Sequence, residues 1–173
     1  PPNTPTPIGP YSHIAKVGQF ISISGTAGVD PATGQLAGPD AYTQTRQIMQ
    51  SFRTMLESVG SDLEHIIHVN VFLKNIRDFD HMNRAYAEAM RKVWKAHPDD
   101  PDVGALFAEA MMDLRPWDQW TPEGQPQPGT DEILATLDAV LKLKINHPLA
   151  NHLYIHAVEA SPNPERAAAP ANR

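Results

Sequence analysis

Two stretches of this 173-residue chain hold residue types whose spacing could do chemistry. The first is Ile8-Gly9-Pro10-Tyr11-Ser12, followed by Phe20-Ile21-Ser22-Ile23-Ser24-Gly25 and the turn Asp30-Pro31-Ala32-Thr33-Gly34. Strand, turn and exposed polar residues combine there into something more specific than a fold signal. The second is His152, His156 and Glu159, at i, i+4 and i+7. That spacing places two imidazoles and a carboxylate on one helical face, as a shared metal would need, and His147 one turn earlier could add a ligand. The plainer reading has these histidines hydrogen-bonded and packed among Leu149, Leu153 and Ile155, because a helical pair lacks the ligand from elsewhere that closes a metal site. Trp117 and Trp120, in a proline-rich loop, could form a recognition surface or cover a helix-pair core. His65 and His68 belong to no constellation and read as structural.

The elements that must position these residues follow from pattern. A short strand over Ser12–Val17 and another over Gln19–Ser24 meet at Gly18, with Ile21 and Ile23 on one face and Phe20, Ser22 and Ser24 on the other. Asp40 caps a helix that runs to Val59 and stops at Gly60. Its apolar stripe is Ile48, Phe52, Met55, Leu56 and Val59, leaving Arg46, Gln50, Arg53 and Glu57 to solvent. His65–Lys74 alternates as a strand covered on both faces. Asp78 opens a helix with the stripe Phe79, Met82, Tyr86, Ala89 and Met90.

Past Met90 the signals are helical. Asp100-Pro101 is a cap followed by a first-turn proline, with helical spacing to Leu114. Arg115–Gly129 is a loop, Thr130 caps the next helix, Asn146-His147-Pro148 starts one that runs to about Ala160, and Asn163-Pro164-Glu165 starts another. Helices separated by Asx-Pro corners have the layout of stacked helix pairs.

Composition excludes several functions. The net charge of −6 lacks the clustered Lys and Arg that nucleic-acid phosphates require. Without cysteine there is no disulfide, thiolate metal site or cysteine nucleophile. No apolar run approaches the ~18 residues of a membrane span, and the first residues lack a signal-peptide order, so a soluble, cytoplasmic protein is expected. Of the 17 prolines, 12 lie in the first ten residues, in Pro116–Pro128 and in Pro162–Pro170. Pro1–Pro7 is therefore expected to be a mobile arm.

Residues 7–90 resemble the Rid family, the reactive intermediate deaminases or YjgF-like proteins. The resemblance is carried by Pro7-Ile8-Gly9-Pro10-Tyr11-Ser12, Val17-Gly18, Ser24-Gly25, Val29-Asp30-Pro31-Ala32-Thr33-Gly34, Gln44-Thr45-Arg46-Gln47, Val71-Phe72-Leu73-Lys74, and Asp78-Phe79 with Met82-Asn83 and Tyr86. It implies a small α+β, chorismate-mutase-like module that forms homotrimers. It further implies hydrolysis of enamines and small 2-imino acids to 2-keto acids and ammonia, with no metal or organic cofactor. By position, Tyr11 and Ser24 are similar to the catalytic pair, and Gly25 and Asn83 to substrate-binding residues. Hydroxyls and backbone groups can supply the proton relay and oriented water that an imine needs. The family's carboxylate-holding arginine, expected in an Ala-Arg-Ser or Ala-Arg-Thr context, has no counterpart: the chain reads Met90-Arg91-Lys92-Val93-Trp94, and the last two strands are also missing. An impaired site is the consequence.

Residues 87–166 are similar to a tetratricopeptide-repeat family, through Ala96-His97-Pro98-Asp99-Asp100-Pro101-Asp102, Leu114-Arg115-Pro116-Trp117, and Asn146-His147-Pro148 with Asn151 to Glu159. The expected organisation is thus a Rid-like α+β module at 1–90 followed by an all-α, repeat-like region at 91–173. The two resemblances meet inside one helix near Met90, which suggests a fusion or composite sequence. The alternative function is a helical-repeat scaffold that binds a protein partner without catalysis.

Overall fold

The computed structural model describes Asn3, Thr4, Thr6, Pro7 and residues 9–173. The expectations placed on Pro1, Pro2, Pro5 and Ile8 lie outside the described residues. The chain divides into two units, Pro1–Ala89 and Met90–Arg173.

In the first unit, Gly18 sits at φ 59 and turns the chain between β1 (Ile14–Val17) and β2 (Phe20–Ile23). A positive φ at the first of two loop residues suits a hairpin whose strands must keep their natural twist. The strands pair antiparallel from Ile14 opposite Ile23 to Val17 opposite Phe20. Ile21 and Ile23 are half-buried while Phe20 and Ser22 are exposed, so the expected alternation holds.

Helix α1 (Ala41–Glu57) starts where the Asp40 carboxylate accepts the Thr43 N–H at 2.8 Å. Hydrogen bonds from the Thr43 backbone and hydroxyl hold that carboxyl below its ordinary range. The helix ends with Gly60 at φ 76, where Gly60 N–H reaches Glu57 O and Ser61 N–H reaches Leu56 O. This pair of bonds is the left-handed stop that glycine adopts at little cost. Ser51, Met55 and Leu56 form the buried stripe, with Arg46, Gln50, Arg53 and Glu57 exposed.

The strand expected at His65–Lys74 does not form. Leu63–His65 is a 3-10 turn and residues 66–74 are irregular, with Ile67 86% and Phe72 92% exposed. A strand is stable only where a neighbour takes its N–H and C=O groups, and β1 and β2 pair only with each other among the described residues.

Asp78 does not open the next helix either. It ends a 3-10 turn, Ile76–Asp78, capped by Asn75, from which α2 (Phe79–Ala96) continues. The buried face of α2 within this unit is Met82, Asn83, Ala85 and Ala87, rotated from the expected stripe, and Phe79 is exposed. Tyr42 joins the two helices: its hydroxyl donates to Glu88 Oε2 at 2.6 Å and its ring lies 4.4 Å from the Arg84 guanidinium carbon.

In the second unit, α3 (Pro101–Met112), α4 (Thr130–Leu143), α5 (Pro148–Val158) and α6 (Ala168–Ala171) pack in sequence around Phe107, Leu137, Val140 and Val158. Asp100 caps α3 as expected, accepting from the N–H groups of Asp102 and Val103. Thr130 does not cap α4. Gly129 takes the cap position at φ 97, and the buried Thr130 hydroxyl donates to Gln119 O at 2.7 Å, anchoring the preceding loop. His147 caps α5: its Nδ1 accepts the Ala150 N–H, which fixes the Nε2–H tautomer and lets Nε2 donate to Asp102 at 2.8 Å. Asn163-Pro164 opens a 3-10 turn, Pro164–Ala167, rather than a full helix.

Gly104 shows packing overriding propensity. A Cβ there would meet Val140 Cγ2 at 2.5 Å and the Trp94 ring at 2.8 Å. Gly104→Ala, which helix propensity alone would make stabilising by roughly 1 kcal/mol, is expected to destabilise by about 1–3 kcal/mol in urea unfolding.

Among the described residues, no helix is long and apolar enough to cross a membrane.

Candidate active site

The chain entering β1 lines a hollow of about 410 Å³ together with Thr4, Thr6 and Pro7. Its lining run is Tyr11-Ser12-His13-Ile14, the segment that leads into β1. Tyr11 is 41% exposed, whereas His13 is buried, and their rings meet edge-on with centroids 5.5 Å apart. The end of β2 is tied to this run by two bonds. The Ser24 N–H donates to His13 O at 2.9 Å, and the Ser24 hydroxyl donates to Ser12 O at 2.7 Å. The Thr26 hydroxyl closes the corner onto Ser24 O at 2.9 Å.

The structure thus joins Ser24, and Gly25 beside it, to the Tyr11 run. It does not do so for every expected site residue. Ser24, Gly25 and Asn83 are absent from the described lining of the hollow, and Asn83 is buried on α2 beside Met82 and Ala85. His13 lies in the bend that precedes β1, outside the strand, so no strand periodicity singles it out in the sequence.

Arg91 is engaged within the second unit. Its Nε donates to Glu132 Oε1 at 2.8 Å and its Nη2 to Glu132 Oε2 at 3.0 Å, a bidentate fork, while its guanidinium carbon lies 5.5 Å from the Phe107 ring centroid.

The expected histidine face on α5 is partly assembled. His152 and His156 meet edge-on at 4.6 Å, His156 Nδ1 lies 3.0 Å from Glu159 Oε1, and Trp117 meets His156 edge-on at 4.9 Å. His147 is instead held by Asp102. Among the described residues, no three His, Cys, Asp or Glu side chains are grouped to hold a metal ion. The packed-core reading also fails for His152, which is exposed on the helix surface. The two tryptophans differ in their surroundings. Trp120 Nε1 donates to Ala157 O at 2.7 Å and so covers the helical core, while Trp117 is 76% exposed.

Facing His152, the Glu109 carboxyl has its pKa raised by burial and then by the Asp113 charge, with His152 acting in the opposite direction. A raised folded-state pKa means that the folded chain holds this proton more tightly than the unfolded chain. Stability therefore falls as pH rises from below 4.5 through the folded value. Glu109→Gln is expected to raise the melting temperature at neutral pH and to give no gain below about pH 4.

The hairpin, α1 and α2 define a small α+β module with a hydroxyl-lined hollow beside its first strand. The sequence profile of the family described as endoribonuclease L-PSP matches residues 2–108, and the chain belongs to this family, the Rid/YjgF family. The match continues past Met90, through the stretch where the two resemblances were expected to meet. A RutC family protein of Pyrococcus horikoshii is 44% identical over 86 residues, covering 50% of this chain and 68% of the relative. One from Sulfurisphaera tokodaii is 36% identical over 110 residues, covering 64% and 87%. A human protein named 2-iminobutanoate/2-iminopropanoate deaminase is 32% identical over 92 residues, covering 53% and 67%. None of these bears on the tetratricopeptide-repeat resemblance.

Proposed function

We propose that the first unit hydrolyses small 2-imino acids to 2-keto acids and ammonia. The observation that carries this reading is the Ser24 hydroxyl bonded to Ser12 O at 2.7 Å, which holds the second strand end against the Tyr11 run. The name of the human relative supplies the substrate class. With its proton committed to a backbone carbonyl, the Ser24 oxygen keeps its lone pairs to accept a hydrogen bond from a water. That water adds to the imine carbon, forming the C–O bond as the C=N electron pair moves to nitrogen, which takes up one of the two protons of the water. The proton of the carbinolamine hydroxyl is passed to the amino nitrogen, and as the C=O bond forms the C–N bond breaks and ammonia leaves with the bonding pair. Tyr11, with a hydroxyl that both donates and accepts, relays the proton on nitrogen. Gly25 and Asn83 contact the substrate by family position. The reaction needs no cofactor, and the working form is a homotrimer in the cytoplasm.

The site works below the family's capacity, because the sequence has no counterpart of the family's carboxylate-holding arginine and the Arg91 guanidinium is forked onto Glu132. The second reading, a helical-repeat scaffold for a protein partner, draws on the exposure of Trp117. One experiment separates the two. An amino-acid oxidase generates the imine, and its absorbance is followed with and without this protein. Accelerated decay supports the deaminase, whereas no acceleration together with a monomeric mass by light scattering removes it and leaves the scaffold.

A further inference from the structure

His13 stands at the joint of the site, although no chemistry is assigned to it. The residue is 8% exposed, and its ring meets the Tyr11 ring edge-on at 5.5 Å. Its backbone carbonyl accepts the Ser24 N–H at 2.9 Å, one residue from the carbonyl that accepts the Ser24 hydroxyl. Side chain and main chain of one residue therefore touch both hydroxyl-bearing residues. Tyr11 is otherwise well exposed, at 41%, and an exposed phenol samples several rotamers. A buried aromatic edge against its ring restricts that sampling at small energetic cost, since edge-to-face pairs are favourable beyond the area they bury.

We propose that His13 is a positioning residue: its imidazole fixes the Tyr11 phenol relative to Ser24, and it acts through ring packing rather than by carrying a proton. This role rests on the deaminase reading above. It explains why a buried ring lies beneath an exposed tyrosine at the rim of the hollow.

The test is a double-mutant cycle on the full chain, with imine decay as the readout and melting temperature as the control. His13→Ala is expected to lower kcat about tenfold with little change in KM. His13→Phe, which keeps a ring, is expected to recover most of that loss, whereas His13→Gln is not. In a Tyr11→Phe background, His13→Ala should cost less than twofold, because the hydroxyl it positions is already gone. Equal losses in both backgrounds would overturn the proposal while leaving the deaminase reading intact. Recovery by His13→Gln but not by His13→Phe would overturn it in favour of a hydrogen-bonding role. A wild-type chain that does not accelerate imine decay removes the deaminase reading and this role with it. If His13→Ala melts early, the comparison of His13→Phe with His13→Gln, each read in both Tyr11 backgrounds, still decides the question.

Discussion

Ser24→Ala is expected to lower kcat/KM for 2-imino acid hydrolysis by about 10²-fold, a loss of roughly 2.7 kcal/mol in transition-state stabilisation. The hydroxyl removed is the one that donates to Ser12 O at 2.7 Å and, in the proposed reaction, accepts from the attacking water. Two effects of the substitution are separable. The lost hydrogen bond to a backbone carbonyl lies at an exposed corner, so its cost to stability is about 1 kcal/mol or less. The Ser24 N–H bond to His13 O is untouched, and the strand end stays in place. A kinetic loss without a matching fall in melting temperature therefore identifies the hydroxyl as part of the chemistry. Steady-state kinetics on oxidase-generated imine provide the measurement. A change below twofold would place the water elsewhere and withdraw Ser24 from the site.

Phe107→Ala is expected to cost about 3–5 kcal/mol of folding stability, the largest effect of any single change considered in the second unit. Phe107 is 1% exposed, at the centre of α3 where that helix packs on α4. Truncation leaves a cavity between two helices whose backbones are held by their own hydrogen bonds and cannot collapse to fill it. A second loss adds to this one. The Arg91 guanidinium carbon sits 5.5 Å from the ring centroid while its nitrogens fork onto Glu132, so removing the ring also removes a cation–π contact of about 0.5–1 kcal/mol. Urea unfolding followed by far-UV circular dichroism gives the difference. Phe107→Leu, which keeps most of the volume, should cost less than half as much.

The caps and turns were legible because each depends on one residue and its near neighbours. Asp40 accepts from Thr43 three residues on, Gly60 adopts the left-handed φ that ends α1, and Asp100 with Pro101 starts α3. The same locality made the hairpin readable, whereas Tyr11 and Ser24 stood out only through the order of the family's motifs. Thr130 shows how locality misleads. A threonine before an apolar run reads as a cap, yet its hydroxyl is taken by Gln119 O, eleven positions back, and glycine fills the cap position instead.

By itself, the sequence determined the β-hairpin, the helical second half and the family, because periodicity, capping chemistry and motif order are properties of short windows. Tertiary structure alone decided the rest. It left residues 66–74 unpaired, because a strand exists only with a partner. It turned the buried face of α2 away from its most apolar stripe, gave Arg91 to Glu132, and set His13 beneath Tyr11. Each of these depends on which distant group arrives at a given point in space, and an apolar pattern or a charge specifies that it will be matched without specifying by what.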